Sequence, residues 1–109
     1  MDNVIPLRSR TVPQTQPEPL WREAVGEQLR AERADRGERI ADVAARAGVA
    51  PQYLSELERG RKDPSSEVLS AVSGALGLSV LELTRRAGHR LGVASMRARS
   101  PRGPVCLAA

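Results

Sequence analysis

Apolar residues recur every three or four positions between residues 20 and 88, a spacing typical of short amphipathic helices. In the clearest example, one helical face consists of Ile40, Val43, Ala44 and Ala47. Gly48 follows as a residue that tolerates positive φ just past a helix end, and Pro51 can occupy the first turn of a new helix. That helix turns Leu54 and Leu57 inward. The pattern predicts two short helices joined by a tight turn.

Three more helices are predicted around this pair, over residues 20 to about 35, 65–77 and 79–88. Ser65 and Ser79 are suitable N-caps, and Glu82 completes a capping box with Ser79. Gly88 is the expected end of the last helix. Residues 89–99 have weak helical character, and they either extend that helix or stay loose.

Composition narrows the fold class. Trp21 and Tyr53 are the only aromatic residues, so the core must be built from Leu, Val, Ile and Ala. Strands are not expected, because β-branched and aromatic runs with a period of two are absent. We therefore predict an all-α, compact five-helix domain over residues 20–88. A proline-rich disordered N-terminal arm (1–19) and a basic C-terminal tail (89–109) are expected to flank it.

The net charge of +4 is distributed unevenly along the chain. Residues 21–84 carry a net charge of −2, whereas residues 85–109 contain six arginines and no acidic residue. The folded part is therefore not a general polycation. Affinity for nucleic acid would need local clusters such as Arg59, Arg61 and Lys62, helped by the basic tail through counterion release. In the N-terminal arm, Arg8 and Arg10 either reach a minor groove or remain solvated.

Several classes of function have little support in the sequence. Cys106 is the only cysteine, so neither an internal disulfide nor a thiolate zinc site can form, which favours a cytoplasmic location. No apolar stretch reaches the roughly 18 residues of a membrane span, and the order of residues in a secretory signal is missing. No rigid element brings His89 and Cys106 together, so the chain is predicted not to be an enzyme. No cofactor or metal is expected.

The outer face of the helix that begins at Pro51 carries polar side chains suited to the DNA major groove, where each base pair presents distinct donors and acceptors. Gln52 can bond both the acceptor and the donor of adenine, and Glu56 can accept from cytosine N4 or orient its neighbours. The candidates for base contact are Pro51, Gln52, Ser55 and Glu56. The candidates for phosphate contact are Tyr53, Arg59, Arg61, Lys62 and, on the preceding helix, Arg46.

From about residue 25 to residue 83 the chain resembles the XRE family, the Cro and phage-repressor type of helix-turn-helix. The segments that carry the resemblance are residues 25–30, 37, 44, 48–49, 53–60, 64–65 and 75–79. The resemblance implies a lambda-repressor-like fold that binds, as a homodimer, a near-palindromic double-stranded DNA operator with half-sites about 34 Å apart. It also implies a partly buried ion pair between Arg33 and Glu58. Two expected helix caps are replaced by Arg39 and Ala50.

Within that family, residues 53–56, 59–62 and 65–67 are similar to those of the actinobacterial regulators of Clp protease genes. This similarity implies activation of genes for Clp proteases and their chaperones. The residues Leu107, Ala108 and Ala109 resemble the end of a tag that the Clp protease recognises. The regulator itself is therefore expected to be a Clp substrate.

Contacts with other proteins are also expected. Val80, Leu81 and Leu83 exceed the apolar surface that one small core absorbs, so they are expected to meet the second subunit. Glu38 and Asp42 either contact RNA polymerase or form a solvated face. An alternative for the whole chain is an antitoxin-like or adaptor protein that uses the same fold to bind another protein.

Overall fold

The computed structural model describes residues 19–99, and within that range all regular structure is α-helical. The helices are α1 (Trp21–Asp35), α2 (Ile40–Ala47), α3 (Pro51–Glu58), α4 (Ser66–Ala75) and α5 (Val80–Arg99). The prediction of an all-α, five-helix fold is confirmed. Most of the expected N-terminal arm, with Arg8 and Arg10, lies outside the described residues. So does the segment that contains Leu107, Ala108 and Ala109.

Local side chains explain where two of the helices begin. The hydroxyl of Ser65 accepts a hydrogen bond from the amide of Val68 at 3.1 Å, and that of Ser79 accepts one from the amide of Glu82 at 3.0 Å. These are the bonds expected of N-caps. In contrast, α2 and α3 begin after Arg39 and Ala50 without a side-chain cap. Their first backbone amides therefore lack a side-chain acceptor from the cap residue.

The ends of α1 to α4 share one hydrogen-bond pattern, in which the chain leaves each helix through a glycine. These glycines are Gly37, Gly48, Gly60 and Gly77, all with positive φ. At the end of α3, the amide of Gly60 donates to the carbonyl of Leu57, and the amide of Arg61 donates to that of Glu56. This pair of bonds is a Schellman motif, and it needs a left-handed residue at the position that Gly60 occupies.

The last helix does not end at Gly88, as the sequence led us to expect. It continues to Arg99, so the helical alternative holds for residues 89–99. Gly88 stays within the helix, because a row formed by Leu83, Ala87 and Leu91 packs against the rest of the core on either side of it. Tertiary packing therefore overrides the weak helix propensity of glycine.

The core is aliphatic and lies where α1 packs against α3 and α5 and where α2 packs against α4. Its fully buried side chains include Val25, Leu29, Val43, Leu54, Leu57, Val72 and Leu83. The expectation that Leu83 meets a second subunit is wrong, because its side chain is 0% exposed within the monomer. Within residues 19–99, no individual helix has the length and apolarity of a membrane span. The bent pair of α4 and α5 meets those criteria only when both helices are counted together.

Candidate nucleic-acid interface

Helix α3 has one buried side and one open side. Leu54 and Leu57 are buried in the core, and Tyr53 is partly buried against it. On the open side, Pro51 and Gln52 are exposed, whereas Ser55 and Glu56 are partly exposed. The four predicted base-contacting residues thus share the outward side of one short helix. Their contact with DNA stays a prediction.

Close backbone contact attaches α3 to α1 at Gly26. A Cβ atom built on Gly26 would lie far inside van der Waals distance of the Leu57 carbonyl oxygen and 2.8 Å from the Glu58 carbonyl oxygen. Any side chain at this position would therefore push the two helices apart. The sequence signal for this contact is the glycine itself, placed in the middle of a helix where it is intrinsically unfavourable.

An ion pair makes the second attachment. Arg33 donates from Nε to Glu58 Oε2 at 2.7 Å and from Nη2 to Glu58 Oε1 at 2.9 Å, and it also donates to the carbonyl of Glu38. The ion pair that the family resemblance implies is therefore present, in bidentate form. The hydrogen bond to Glu58 raises the pKa of Arg33 above its ordinary value, against the opposing effect of burial. This contact fixes the end of α3 to α1.

Three of the five predicted phosphate-contacting side chains follow α3 in what we call the basic segment, residues 59–63. Arg59 donates to the hydroxyl of Ser55 at 2.9 Å, and Lys62 Nζ lies 3.6 Å from Glu56 Oε1. Arg61 is exposed and has no side-chain partner among residues 19–99. Two of the three basic side chains, those of Arg59 and Lys62, thus lie beside predicted base-contacting residues of α3. They can reach the same DNA surface as those residues.

Arg46, the phosphate candidate on α2, is exposed but forms bonds within the protein. Its Nη2 donates to Glu38 Oε1 at 2.7 Å and to the Ala75 carbonyl at 2.8 Å, while Arg36 donates to the Leu76 carbonyl at 3.2 Å. Cations here compensate the partial negative charge at the end of α4. The bond from Arg46 lowers the pKa of Glu38, with a smaller contribution from Arg36, and the same bond raises the pKa of Arg46. The bonds from Arg46 and Arg36 to the end of α4 join residues 29 and 40 positions apart, so no local sequence signal indicates them.

Helix α5 leaves an uncovered side that faces away from the core. Leu81 is 77% exposed and Val80 is 37% exposed, in keeping with the apolar surface expected there. Met96 is 72% exposed on the part of α5 that the sequence analysis did not assign, and Gly88 and Gly92 have open space above them. These three residues were missed because the helix was expected to end at Gly88.

The inner side of α5 is attached to α1 by charged and polar side chains. Arg86 pairs with Glu32 and with Glu82, both at 2.6 Å, and Arg90 donates to Gln28. These bonds raise the pKa of Arg86, with the hydrogen bond to Glu32 as the largest cause. Among residues 19–99, no group of three or more His, Cys, Asp or Glu side chains is arranged to hold a metal ion.

Known proteins are similar to this chain in fold and in sequence. A family model described as helix-turn-helix matches residues 29–83. The transcriptional regulator ClgR of Mycobacterium tuberculosis is 47% identical over 72 residues, which are 66% of this chain and 64% of that protein. The HTH-type transcriptional regulator DdrOP3 of Deinococcus deserti is 44% identical over 57 residues, 52% of this chain and 44% of that protein.

Among solved structures, the clp gene regulator ClgR from Corynebacterium glutamicum aligns with a TM-score of 0.71 and 47% identity. The alignment covers 74% of this chain and 86% of that one. This chain spans less than two thirds of the length of the curated relatives named above. By name, these relatives are regulators and not enzymes, in agreement with the prediction made from the sequence.

Proposed function

Because the chain belongs to the helix-turn-helix family, of the XRE type, we propose that it is a DNA-binding regulator of transcription that reads bases with the open side of α3. The observation that carries this proposal is the contrast between the two sides of that helix. Its inner side is fixed to α1 by Gly26 and by the ion pair of Arg33 with Glu58. Its outer side presents Gln52 and Glu56 on a rigid support, as entry into a major groove requires.

The chemistry of the open side suggests which contacts carry sequence information. Gln52 is suited to a bidentate contact with adenine, and Glu56 to accepting a hydrogen bond from cytosine N4. Arg61, Lys62 and Arg59 supply the positive charge for phosphate contacts, which position the protein without reading sequence. Arg46 would first have to leave Glu38 and the end of α4, so we assign it a smaller contribution.

A quantitative DNA-binding assay tests this function. Wild-type protein is titrated with fragments of its own promoter and of Clp gene promoters, and with an unrelated fragment as the non-specific reference. Replacing Gln52 by Ala should weaken specific binding by about 5- to 150-fold and leave non-specific binding unchanged. Replacing Arg61 by Ala is the matched control. It should weaken specific and non-specific binding alike, and it should lower the slope of log affinity against log salt concentration by about one. If the wild-type protein binds none of these DNA fragments at low salt, the alternative of an adaptor protein is favoured.

We further infer that the protein acts as a homodimer joined through the uncovered side of α5. Leu81 and Met96 supply apolar contact area, and Gly88 and Gly92 allow a second helix to approach closely. A two-fold pair would match a near-palindromic operator. Replacing Leu81 by Asp should shift the protein to monomer in sedimentation experiments while the fold of the monomer is retained. A variant that remains dimeric would refute this choice of surface.

The genes under control are proposed to be those for Clp proteases and their chaperones, by analogy with the clp gene regulator ClgR from Corynebacterium glutamicum. For activation, Asp42 is the better candidate for a contact with RNA polymerase. It is 51% exposed and pairs with the exposed Arg39, whereas Glu38 is 23% exposed and is engaged by Arg36 and Arg46. Mapping the bound sites across the genome tests the choice of genes. Bound promoters that exclude Clp genes would contradict it.

Removal of the protein by Clp protease is proposed on the residues Leu107, Ala108 and Ala109. Replacing Ala108 and Ala109 by Asp should lengthen the half-life of the full-length protein in cells. The matched control is the same pair of substitutions in cells that lack the protease, where the half-life should already be long. An unchanged half-life in both strains would contradict the idea.

A further inference from the structure

The first turn of α1 contacts the residues that follow α3. Nε of Arg22 donates to the Gly60 carbonyl at 3.0 Å, and its Nη1 lies 3.8 Å from Asp63 Oδ2. Glu23 packs over the same glycine, since a Cβ atom built on Gly60 would lie 3.0 Å from Glu23 Cα. Gly60 is buried and has a φ of 73°. The start of α1 therefore fixes the path by which the basic segment leaves α3.

Asp63 is the single acidic residue of the basic segment, and it directly follows Lys62. Its side chain is 74% exposed, and Arg22 is its ion-pair partner among residues 19–99. A carboxylate next to a phosphate-binding lysine repels the DNA backbone unless a cation lies beside it. The guanidinium of Arg22 thus contacts both the carbonyl of Gly60 and the carboxylate of Asp63. These two groups lie at opposite ends of the turn that carries Arg61 and Lys62.

We propose that Arg22 is a positioning residue for DNA binding, which holds the basic segment against α1 and neutralises Asp63 without contacting DNA itself. This inference rests on the proposed function and adds to it a residue of α1, for which the sequence predicted only a helix. Replacing a residue that contacts phosphate directly costs the same affinity with or without Asp63, whereas replacing one that acts through Asp63 costs less once Asp63 is also replaced. The two roles can therefore be separated by experiment.

The test compares DNA affinity over a range of salt concentrations for wild type, Arg22→Ala, Asp63→Asn and the double variant. Arg30→Ala is the matched control, because Arg30 is an exposed arginine of the same helix without a side-chain partner among the described residues. Arg22→Ala should weaken binding about threefold to tenfold, and the loss should be smaller when the same substitution is made in the Asp63→Asn background. Arg30→Ala should change affinity by less than about twofold.

Two results would overturn the proposal. An equal loss of affinity from Arg22→Ala in wild type and in the Asp63→Asn background would make Arg22 a direct phosphate contact. Equal losses of DNA affinity in Arg22→Ala and Arg30→Ala would mean that Arg22 acts only through the net charge of the protein. Hydrogen exchange in the free protein supplies a readout that does not need DNA: the amides of Gly60 and Arg61, which donate to the carbonyls of Leu57 and Glu56, should exchange faster in Arg22→Ala than in Arg30→Ala. If wild type fails to bind DNA, the proposed function fails, whereas unchanged exchange refutes the positioning role.

Discussion

The guanidinium of Arg33 and the carboxylate of Glu58 form two parallel hydrogen bonds, although 25 residues separate them in the chain. The Glu58 side chain is only 5% exposed. Removing Glu58 leaves the Arg33 guanidinium, which is only 19% exposed, without its counter-charge, so Glu58→Ala should lower the free energy of unfolding by about 3–5 kcal/mol. Chemical denaturation measures this change.

The same ion pair has a matched control on the surface. Arg85→Ala breaks the exposed pair with Glu82 and should change the free energy of unfolding by less than about 1 kcal/mol. The double variant Arg33→Met with Glu58→Leu should be more stable than Glu58→Ala, because neither charge is then left alone. Equal effects of Glu58→Ala and Arg85→Ala would show that the buried pair contributes no more than a surface pair.

Gly26 offers a prediction of opposite sign to that of helix propensity. Alanine at a helix interior is normally favoured over glycine by about 1 kcal/mol. At Gly26, however, the methyl group would overlap the carbonyl oxygens at the end of α3, so Gly26→Ala should destabilise the fold by about 1–3 kcal/mol. Gly74→Ala is the control, because open space surrounds that position and stability should rise. The melting temperatures of both variants test this prediction. A Gly26→Ala variant that is more stable than wild type would mean that α1 and α3 can move apart without loss of stability.

Glu38 predicts a loss of stability in acid. Its folded-state pKa is lowered by the hydrogen bond from Arg46 and, to a smaller extent, by Arg36. A carboxylate with a lowered pKa stabilises the fold above its unfolded-state value of about 4.3, and this contribution is lost as the pH falls through the folded-state value. Melting temperatures between neutral and acidic pH should therefore fall less steeply in Glu38→Gln than in wild type.

An NMR titration of the Glu38 carboxyl checks the same point directly. Glu67→Gln serves as the control for the melting curves, because Glu67 is exposed and has no ion pair among residues 19–99. The melting temperature of Glu67→Gln should vary with pH as that of wild type does. A Glu38 pKa at or above the ordinary range would contradict the contact with Arg46.

Ser73 predicts a stabilising substitution. Its hydroxyl is fully buried in α4 and has no hydrogen-bond partner within the described part of the chain. An unsatisfied buried hydroxyl is costly, so Ser73→Ala should raise the free energy of unfolding by about 1–2 kcal/mol. Ser70→Ala, at an exposed position of the same helix, should gain only the helix-propensity difference of about 0.5 kcal/mol. Similar gains at both positions would indicate that the Ser73 hydroxyl finds a partner in solution.

Local signals in the sequence were sufficient for most helix boundaries. Ser65 and Ser79 begin helices through bonds within one turn, and Gly48 and Gly60 end them in the same way. Such contacts span only three to five residues, so they can be recognised without knowledge of the fold. The open side of α3 was predictable for the same reason, because it follows from helical periodicity alone.

Features that depend on distant parts of the chain could not be predicted in this way. Gly88 has the properties of a helix stop, yet α5 continues because Leu83 and Leu91 pack against the core on either side of it. Leu83 was expected at an interface, since the sequence does not show how much apolar surface the core absorbs. The bond between Arg22 and Gly60 joins residues 38 positions apart and has no counterpart in the periodic pattern.

Helix α1 holds α3 through Gly26 and Arg33, and it holds α5 through Glu32 and Gln28. The two attachments use different side chains of one scaffold helix. In a dimer joined through α5, the separation of the two DNA half-sites and the bases read within each half-site would therefore be governed by different contacts. Substitutions along α5 could then adapt the protein to operators of altered spacing while its base preference is retained, so that each property can evolve without the other.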